Sequence, residues 1–208
     1  MSFCHATPSV GLFHNTVGGI LIRVNYARRK LKRTFNEPGH GQYLTYSCYH
    51  CWPLLTKDTT RTWVIEAIDI ARRRHEMDVY AYVVMPEHVH LLVKPRREEY
   101  RIEKFLFDLK RPVSYRAKRF LQQTAQRQWR QRLTVKKGKR NVFRFWQAGG
   151  GFDRNISDET ALWPVVQYIH ANPVRRGLVD APTDWIWSSA RFWEGMNDVP
   201  LMMDELDV

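Results

Sequence analysis

Short apolar segments separated by turn residues occur in the first half of the chain and predict the strands of a sheet. QYLTYSCYHCW, residues 42–52, is rich in the aromatic and β-branched residues that strands favour. Two further apolar segments, Val79–Met85 and Glu87–Lys94, are joined by a turn at Pro86. From about Asp58 the apolar positions recur with helical spacing instead, so we expect an amphipathic helix between the first and second strands.

The second half of the chain predicts more helix than strand. Residues 101–140 are expected to be largely helical, interrupted near Pro112 and ending in a loop at 136–140. NVFRFW, residues 141–146, predicts a further strand. QAGGGFDRN, residues 147–155, has the composition of a turn-rich loop.

A last helix is predicted over Pro164–Asn172, PVVQYIHAN, and it ends there because Pro173 disfavours helical geometry in the residue before it. The resulting order, β-α-β-β-α-β with a terminal helix, is typical of the split βαβ arrangement. We therefore expect an α+β domain over residues 41–193, with an antiparallel sheet and helices on one face. Residues 1–40 are interpreted as a basic, partly flexible N-terminal arm, and 194–208 as an acidic C-terminal tail.

Charge is concentrated in one part of the chain. The 208 residues carry a formal net charge of +12, and the segment 101–140 holds 14 Lys or Arg residues against Glu103 and Asp108 alone. A solvated basic helix would have this composition. The same segment also contains aromatic residues, and cations mixed with stacking surfaces are typical of nucleic-acid binding. We therefore expect a nucleic-acid partner.

Other classes of protein are disfavoured by composition. No apolar run approaches the roughly 18 residues that a membrane span needs, so no membrane association is expected. The three cysteines are too few for a disulfide scaffold and indicate a reducing, cytoplasmic location. Cys48 and Cys51 form a single CxxC, whereas a structural zinc site has four ligands.

Two titratable side chains interrupt the strand within VVMPEHVHLLVKP. His88 and His90 are two apart, so their side chains lie on one face of the strand, while Val89 points to the other. Adjacent imidazoles can bind a divalent cation. A histidine pair that is merely exposed or hydrogen-bonded is the alternative.

The predicted helix at 164–172 offers partners for the histidines. Tyr168 and Asn172 are four apart and so are neighbours along one edge of its apolar face, with His170 along the other edge. Two imidazoles and an amide oxygen would form a three-ligand cation site, beside which a phenolate nucleophile is easier to form. Alternatively, Tyr168 packs at the edge of the core and Asn172 ends the helix.

Four segments resemble, in content and order, the REP-associated tyrosine transposases of the HUH superfamily of single-strand nucleases. They are MPEHVHLLV, FWQAGGGFDRNI, YIHANPVRRGLV and DWIWSSARF, and the resemblance runs from about Arg28 to Trp193. It implies that His88 and His90 are metal ligands, that Tyr168 is the nucleophile and that Asn172 is the third ligand. Related insertion-sequence transposases usually carry Gln at this last position.

The resemblance also implies how the protein works. It implies a ferredoxin-like fold with the nucleophile on a C-terminal helix, Mg²⁺ or Mn²⁺ as cofactor, and hairpins of single-stranded DNA, the repetitive extragenic palindromes, as substrate. Cleavage would leave a 5′-phosphotyrosine and a free 3′-hydroxyl, and the reverse step would rejoin the strands. His170 would help to orient the residues that bind the cation, without binding it itself. The protein would be nucleoid-associated and either a monomer or a homodimer.

Further basic and aromatic residues are predicted to contact DNA. Cations of the basic segment are expected to hold the hairpin stem through phosphate contacts that position without specifying sequence. Other candidates flank the Gly149–Gly151 run or follow the nucleophile's helix, although turns, packing or helix-end charge would also account for them. The predicted contacts are Lys110, Arg111, Arg116, Arg119, Trp146, Arg154, Arg175 and Arg176.

Two other functions are compatible with these residues. A non-catalytic module that binds single-stranded nucleic acid, or an inactivated transposase descendant, would also present an open sheet with aromatics. A metal hydrolase using activated water would have the histidines but would not need Tyr168.

Overall fold

The structure, a computed structural model, describes residues 36–149 and 152–206. Most of the predicted N-terminal arm lies outside these residues. Phe35–Val208 forms one compact unit. No helix among the described residues is both long and apolar enough to cross a membrane. The named elements, in chain order, are β1 (Gly41–Ser47), α1 (Asp58–His75), β2 (Met77–Val84), β3 (His88–Pro95), α2 (Ile102–Gln123), α3 (Arg127–Arg132), β4 (Thr134–Lys137), β5 (Arg140–Phe143), β6 (Phe152–Ile156), α4 (Leu162–His170), α5 (Asn172–Arg175) and α6 (Ala190–Trp193).

A four-stranded antiparallel sheet in the order β2-β3-β1-β6 forms the centre of the unit. With α1 joining β1 to β2 and α2 following β3, this is the ferredoxin-like βαββαβ topology. The predicted fold class is confirmed. Strands β4 and β5 form a separate two-stranded sheet inserted between α2 and β6.

The sheet separates two hydrophobic clusters, one on each face. On β3, Val89, Leu91 and Val93 belong to the cluster that includes the buried sides of α1 and α2. Leu92 belongs to the other cluster, with Val166 and Ile169 of α4. Because side chains alternate along a strand, His88 and His90 lie on the face that α4 covers. Helix α4 thus brings the predicted nucleophile to the face that carries the histidines.

The fourth strand of the sheet is β6, from the segment predicted to be a loop, and not NVFRFW. Its residues, FDRNI, are mostly polar because β6 is an edge strand that pairs only with β1 among the described strands. NVFRFW instead completes the small hairpin as β5 and then meets the main sheet through an isolated bridge between Cys48 and Trp146.

The basic segment also differs from its prediction. Helix α2 continues through Pro112. The buried residues Leu109 and Val113 on either side hold both halves against the core, which offsets the missing hydrogen bond. The loop predicted at 136–140 is the turn of the β4–β5 hairpin, where Gly138 has a φ of 59°.

The packed unit extends beyond residue 193, where the domain boundary was predicted. Leu201 and Met203 each have 7% exposure and belong to the core cluster of α1 and α2. The carboxylate of Asp204 accepts a hydrogen bond from the backbone N–H of Val79 at 2.8 Å and pairs with Arg72 and Arg96. The predicted acidic tail is therefore, up to Asp204, part of the fold.

Candidate active site on the α4 face of the sheet

The two histidines of β3 converge at their Nε2 atoms. Nε2 of His88 lies 2.9 Å from Nε2 of His90, with the rings nearly perpendicular at 89°. In the absence of a cation one nitrogen donates a proton to the other. A cation between them would require both Nε2 atoms to be unprotonated, and each ring would then carry its proton on Nδ1.

The Nδ1 atom of His90 faces two hydroxyl groups of β1. It lies 2.7 Å from Oη of Tyr43 and 2.9 Å from Oγ1 of Thr45, and Thr45 is the direct cross-strand partner of His90. Either oxygen can accept the Nδ1 proton, which leaves Nε2 as the ligand atom. Burial, together with the charges of His88 and Arg175, lowers the pKa of His90 to about 3. The imidazole is therefore neutral at neutral pH.

A carboxylate supports the other histidine in the same way. Oε1 of Glu87 lies 3.1 Å from Nδ1 of His88 and 2.5 Å from Nη1 of Arg176. Burial acts to raise the pKa of Glu87, but the hydrogen bonds and charges of His88 and Arg176 outweigh it and lower the pKa to about 2. The ionised carboxylate accepts the Nδ1 proton of His88 and orients its Nε2 toward His90.

Tyr168 stands over this pair from α4. Its half-buried ring lies edge-on to His90, with centroids 6.3 Å apart, and edge-on to Tyr43 at 6.2 Å. The guanidinium of Arg175 covers the ring at 4.9 Å from its centroid. The predicted nucleophile and the two predicted ligands therefore occupy one site.

Asn172 follows Tyr168 by one helical turn, just beyond the end of α4. Its Nδ2 donates to the backbone carbonyl oxygens of Tyr168 at 2.8 Å and Ile169 at 3.3 Å. The amide nitrogen is thus engaged by the helix end, while the atom that would bind a cation is the oxygen Oδ1. Its assignment as third ligand stays a prediction.

The donor set fits a divalent cation. Two ligands about 2.1 Å from one ion and at a right angle stand about 3 Å apart, close to the observed separation of the Nε2 atoms. In the part of the chain that the structure describes, no group of three His, Cys, Asp or Glu side chains suits a metal. A cation here would rest on two imidazoles and an oxygen donor such as the Asn172 amide, with water or phosphate completing its shell.

His170 does not contact His88 or His90 and instead contacts Ser189. It is buried, and its Nε2 lies 2.8 Å from Oγ of Ser189, which also accepts from the backbone N–H of Tyr82. Burial lowers the pKa of His170 to about 4. This contact ties α4 to β2 through the C-terminal segment. Its role as a residue that orders the active site stays a prediction.

One of the predicted DNA contacts, Trp146, is part of the core, and another, Lys110, is partly buried beside it. Trp146 is 6% exposed, packs edge-on against Tyr46 and donates from Nε1 to the backbone oxygen of Lys110 at 3.0 Å. Lys110 in turn donates from Nζ to the backbone oxygen of Gly149 at 3.0 Å. A buried Trp146 has no face for a base, because stacking needs an exposed ring.

The cations of α2 lie on the far side of the sheet from the histidines. Arg111 and Arg119 are exposed and lie over the rings of Phe107 and Tyr115, and Arg116 pairs with Glu66 of α1. Helix α2 packs on the Val89 face of β3. The structure therefore does not bring these three arginines to the site.

The other predicted contacts lie nearer to it. Arg154 of β6 is exposed and is the cross-strand partner of Tyr43 on β1. Its side chain therefore lies on the same face of the sheet as the site. Arg175 and Arg176 contact Tyr168 and Glu87.

Sequence reasoning did not assign the supporting residues Glu87, Tyr43 and Thr45. Glu87 directly precedes His88 in the sequence, and a carboxylate beside a candidate ligand was a usable indication. The roles of Tyr43 and Thr45 depend on the β1–β3 register, which the sequence does not state.

Known proteins share this fold and sequence pattern. The family model for IS200-like transposases matches residues 52–142, which include both histidines. A solved REP-associated tyrosine transposase bound to a REP hairpin matches with a TM-score of 0.60 and 20% identity, over 86% of this chain and 94% of that chain. A crystal structure from Deinococcus radiodurans R1, provisionally described as a transposase, matches with a TM-score of 0.41 and 17% identity, over 67% of this chain and 95% of that one. A comparison with curated proteins gives no match. The resemblance inferred from the sequence is confirmed: the chain is similar to the IS200-like transposases over residues 52–142 and has the fold of a REP-associated tyrosine transposase.

Proposed function

We propose that the protein cleaves and rejoins single-stranded hairpin DNA through a 5′-phosphotyrosine on Tyr168, assisted by one Mg²⁺ or Mn²⁺ ion. One observation carries this proposal: the ring of Tyr168 lies edge-on to His90, with centroids 6.3 Å apart, and Nε2 of His90 lies 2.9 Å from Nε2 of His88. A nucleophile beside a cation site with open positions is the arrangement that phosphodiester transfer needs.

The substrate class is supported by the relatives and by charge. The neighbour of the same fold is described as bound to a REP hairpin. A net charge of +12 favours a polyanionic partner, because each neutralised phosphate releases counterions. The protein is expected to act as a monomer or a homodimer near the nucleoid.

His88, His90 and the Oδ1 atom of Asn172 would hold the cation, which would supply Lewis-acid polarisation of the scissile phosphate. Glu87, Tyr43 and Thr45 would fix the histidines with Nε2 facing inward. The guanidinium of Arg175, 4.9 Å from the ring of Tyr168, brings positive charge to the place where a phenolate and a phosphate would meet.

The chemical step is a transesterification. The phenolate oxygen of Tyr168, having given up its proton, attacks phosphorus and forms a new P–O bond. The bond from phosphorus to the 3′-oxygen breaks, and that oxygen takes up a proton to become a free 3′-hydroxyl. Because the phosphodiester energy is kept in the phosphotyrosine, a 3′-hydroxyl can later attack it and release Tyr168.

A denaturing gel tests the proposal directly. End-labelled hairpin DNA libraries are incubated with the wild-type protein, with Tyr168→Phe and with Tyr115→Phe, each with Mg²⁺, Mn²⁺ or chelator. We expect an SDS-resistant adduct that needs the cation, disappears in Tyr168→Phe and persists in Tyr115→Phe, whose exposed ring lies on α2.

Other results would assign a different function. Cleavage without an adduct that survives in Tyr168→Phe would indicate a hydrolase using activated water. Cation-independent binding with no cleavage on any hairpin would indicate a nucleic-acid-binding module or an inactivated descendant.

A further inference from the structure

The insertion between α2 and β6 is strongly basic. We call residues 127–144, which comprise α3 and the β4–β5 hairpin, the basic wing. It contains eight Lys or Arg residues and no Asp or Glu: Arg127, Arg130, Arg132, Lys136, Lys137, Lys139, Arg140 and Arg144. All but Arg144 are exposed. The proposed chemistry at Tyr168 uses none of them.

These cations have no carboxylate partners within the part of the chain that the structure describes. The ion pairs found there involve lysines and arginines of other elements, such as Arg96 with Asp204 and Arg116 with Glu66. Eight uncompensated charges on so short a segment repel one another. A polyanion bound across the basic wing would remove that repulsion.

The tip of the β4–β5 hairpin carries positive charge but no aromatic ring on which a base could stack. Lys136, Lys137, Lys139 and Arg140 surround the turn at Gly138, while the one aromatic residue of the hairpin, Phe143, is half-buried at its base. Single-strand binding relies on exposed aromatic rings as well as on cations. Cations alone fit the phosphates of a paired stem, and a two-stranded ribbon is narrow enough to enter the major groove.

The basic wing is attached at the end of the sheet where the histidines begin. After β5 the chain pairs with the end of β1: the backbone N–H of Gln147 donates to Ser47 at 2.8 Å, and Ser47 is the cross-strand partner of His88. Phe145, 3% exposed, anchors this junction in the core. At about 3.3 Å per residue, the turn at Gly138 can extend up to roughly 20 Å from that anchor.

We propose that the basic wing binds the sugar–phosphate backbone of the paired stem of a DNA hairpin, while the unpaired strand beside the stem enters the active site. This inference rests on the proposed function for its substrate, and it identifies which surface holds the stem. Among the basic surfaces described, the wing is joined to the histidine end of the sheet, whereas the outer side of α2 lies beyond the opposite face.

The test measures binding by a protein that cannot form the adduct, so that it does not depend on catalysis. In the Tyr168→Phe background, the wing variant carries Lys136→Gln, Lys137→Gln, Lys139→Gln and Arg140→Gln. The matched control carries four exposed changes on α2: Lys104→Gln, Arg111→Gln, Lys118→Gln and Arg119→Gln. A third protein carries Lys136→Arg, Lys137→Arg and Lys139→Arg, which keep the charge.

Fluorescence anisotropy then compares a labelled stem-loop of arbitrary sequence with an unstructured oligothymidine of equal length, at several salt concentrations. For the stem-loop we expect the wing variant to bind 10- to 100-fold more weakly than its parent at low salt, with a salt slope smaller by about 3. The α2 control and the arginine variant should bind nearly as the parent does. Thermal unfolding checks that all four proteins are folded.

Two results would overturn the proposal. One is a wing variant whose stem-loop affinity and salt slope equal those of its parent, or an α2 control that binds the stem-loop more weakly than the wing variant does. The other is an equal loss on the oligothymidine, which would assign the basic wing to the unpaired strand. Neither result depends on whether Tyr168 forms an adduct, so the proposed function can fail or hold independently.

Discussion

Glu87 and Arg176 form an ion pair, 2.5 Å between Oε1 and Nη1, through the same carboxylate oxygen that His88 contacts. One partner precedes the histidine strand, and the other follows the short helix α5 after the nucleophile's helix. A single carboxylate therefore orients a candidate ligand and joins the two halves of the site.

Replacing this carboxylate should weaken cation binding while the protein stays folded. In Glu87→Gln the side chain keeps its shape but loses its charge, so it holds the Nδ1 proton of His88 less firmly. We expect Mn²⁺ affinity to fall 10- to 100-fold, measured by calorimetry on the DNA-free protein. Nitrogen NMR of His88 without metal should show the Nδ1–H form populated less. An unchanged tautomer and an unchanged Mn²⁺ affinity would show that Glu87 does not position His88. The control variant is Glu66→Gln, because Glu66 is an exposed carboxylate on α1.

The two hydroxyls that face His90 should substitute for one another. Tyr43→Phe or Thr45→Val alone leaves one acceptor for the Nδ1 proton, so each should have a small effect on Mn²⁺ affinity. The double variant leaves a buried N–H without a partner, which costs about 1–3 kcal/mol. Calorimetry on the four proteins should therefore give a loss greater than the sum of the single losses. Additive losses would mean that only one hydroxyl supports His90.

An alanine at Gly41 should force the side chain of Leu162 to shift. A Cβ at Gly41 would lie 2.6 Å from Cδ2 of Leu162, the first residue of α4. We expect Gly41→Ala to lower the free energy of unfolding by about 1–3 kcal/mol and to reduce adduct formation, because α4 carries Tyr168. In a Leu162→Ala background, urea denaturation should show a much smaller effect of the alanine. An equal effect in both backgrounds would contradict this steric account.

His170 should make the fold sensitive to acid. Its pKa of about 4 lies below the usual 6.5, so between these values the unfolded chain binds a proton that the folded protein does not. This contribution to stability is complete above pH 6.5 and is lost as pH falls toward 4, by about 3 kcal/mol. Urea denaturation at pH 7 and pH 4.5 should show a smaller decline in His170→Gln than in the wild type. His90 contributes equally to both proteins, and parallel declines would contradict the prediction.

The sequence predicted the parts of the site that follow from local periodicity. The two-residue spacing of His88 and His90 determines their common face, and the four-residue spacing of Tyr168 and Asn172 determines their common edge. The order of the first five elements, βαββα, followed from the succession of apolar patterns. These features depend only on residues that are close together along the chain, so they can be read from the sequence.

What the sequence did not predict depends on pairing between distant segments. Strand β6 is polar because it is an edge strand, so its composition resembles a loop. Arg111 and Arg119 are basic and exposed, as expected, but which face of the sheet α2 covers is decided by its packing against α1 and β3. The burial of Trp146 has the same origin, because its neighbour Tyr46 is 100 positions away.

The alternation along β3 has a consequence for how this protein can change during evolution. Val89, Leu91 and Val93 fill the core on one face, while His88 and His90 occupy the other. A one-residue insertion or deletion before His88 that kept the strand paired would place imidazoles in the core and valines in the site. Changes in length should therefore be tolerated at the β4–β5 turn but not between Val84 and His88. In a library of single-codon deletions, variants with a deletion in that short interval should lose both folding and activity.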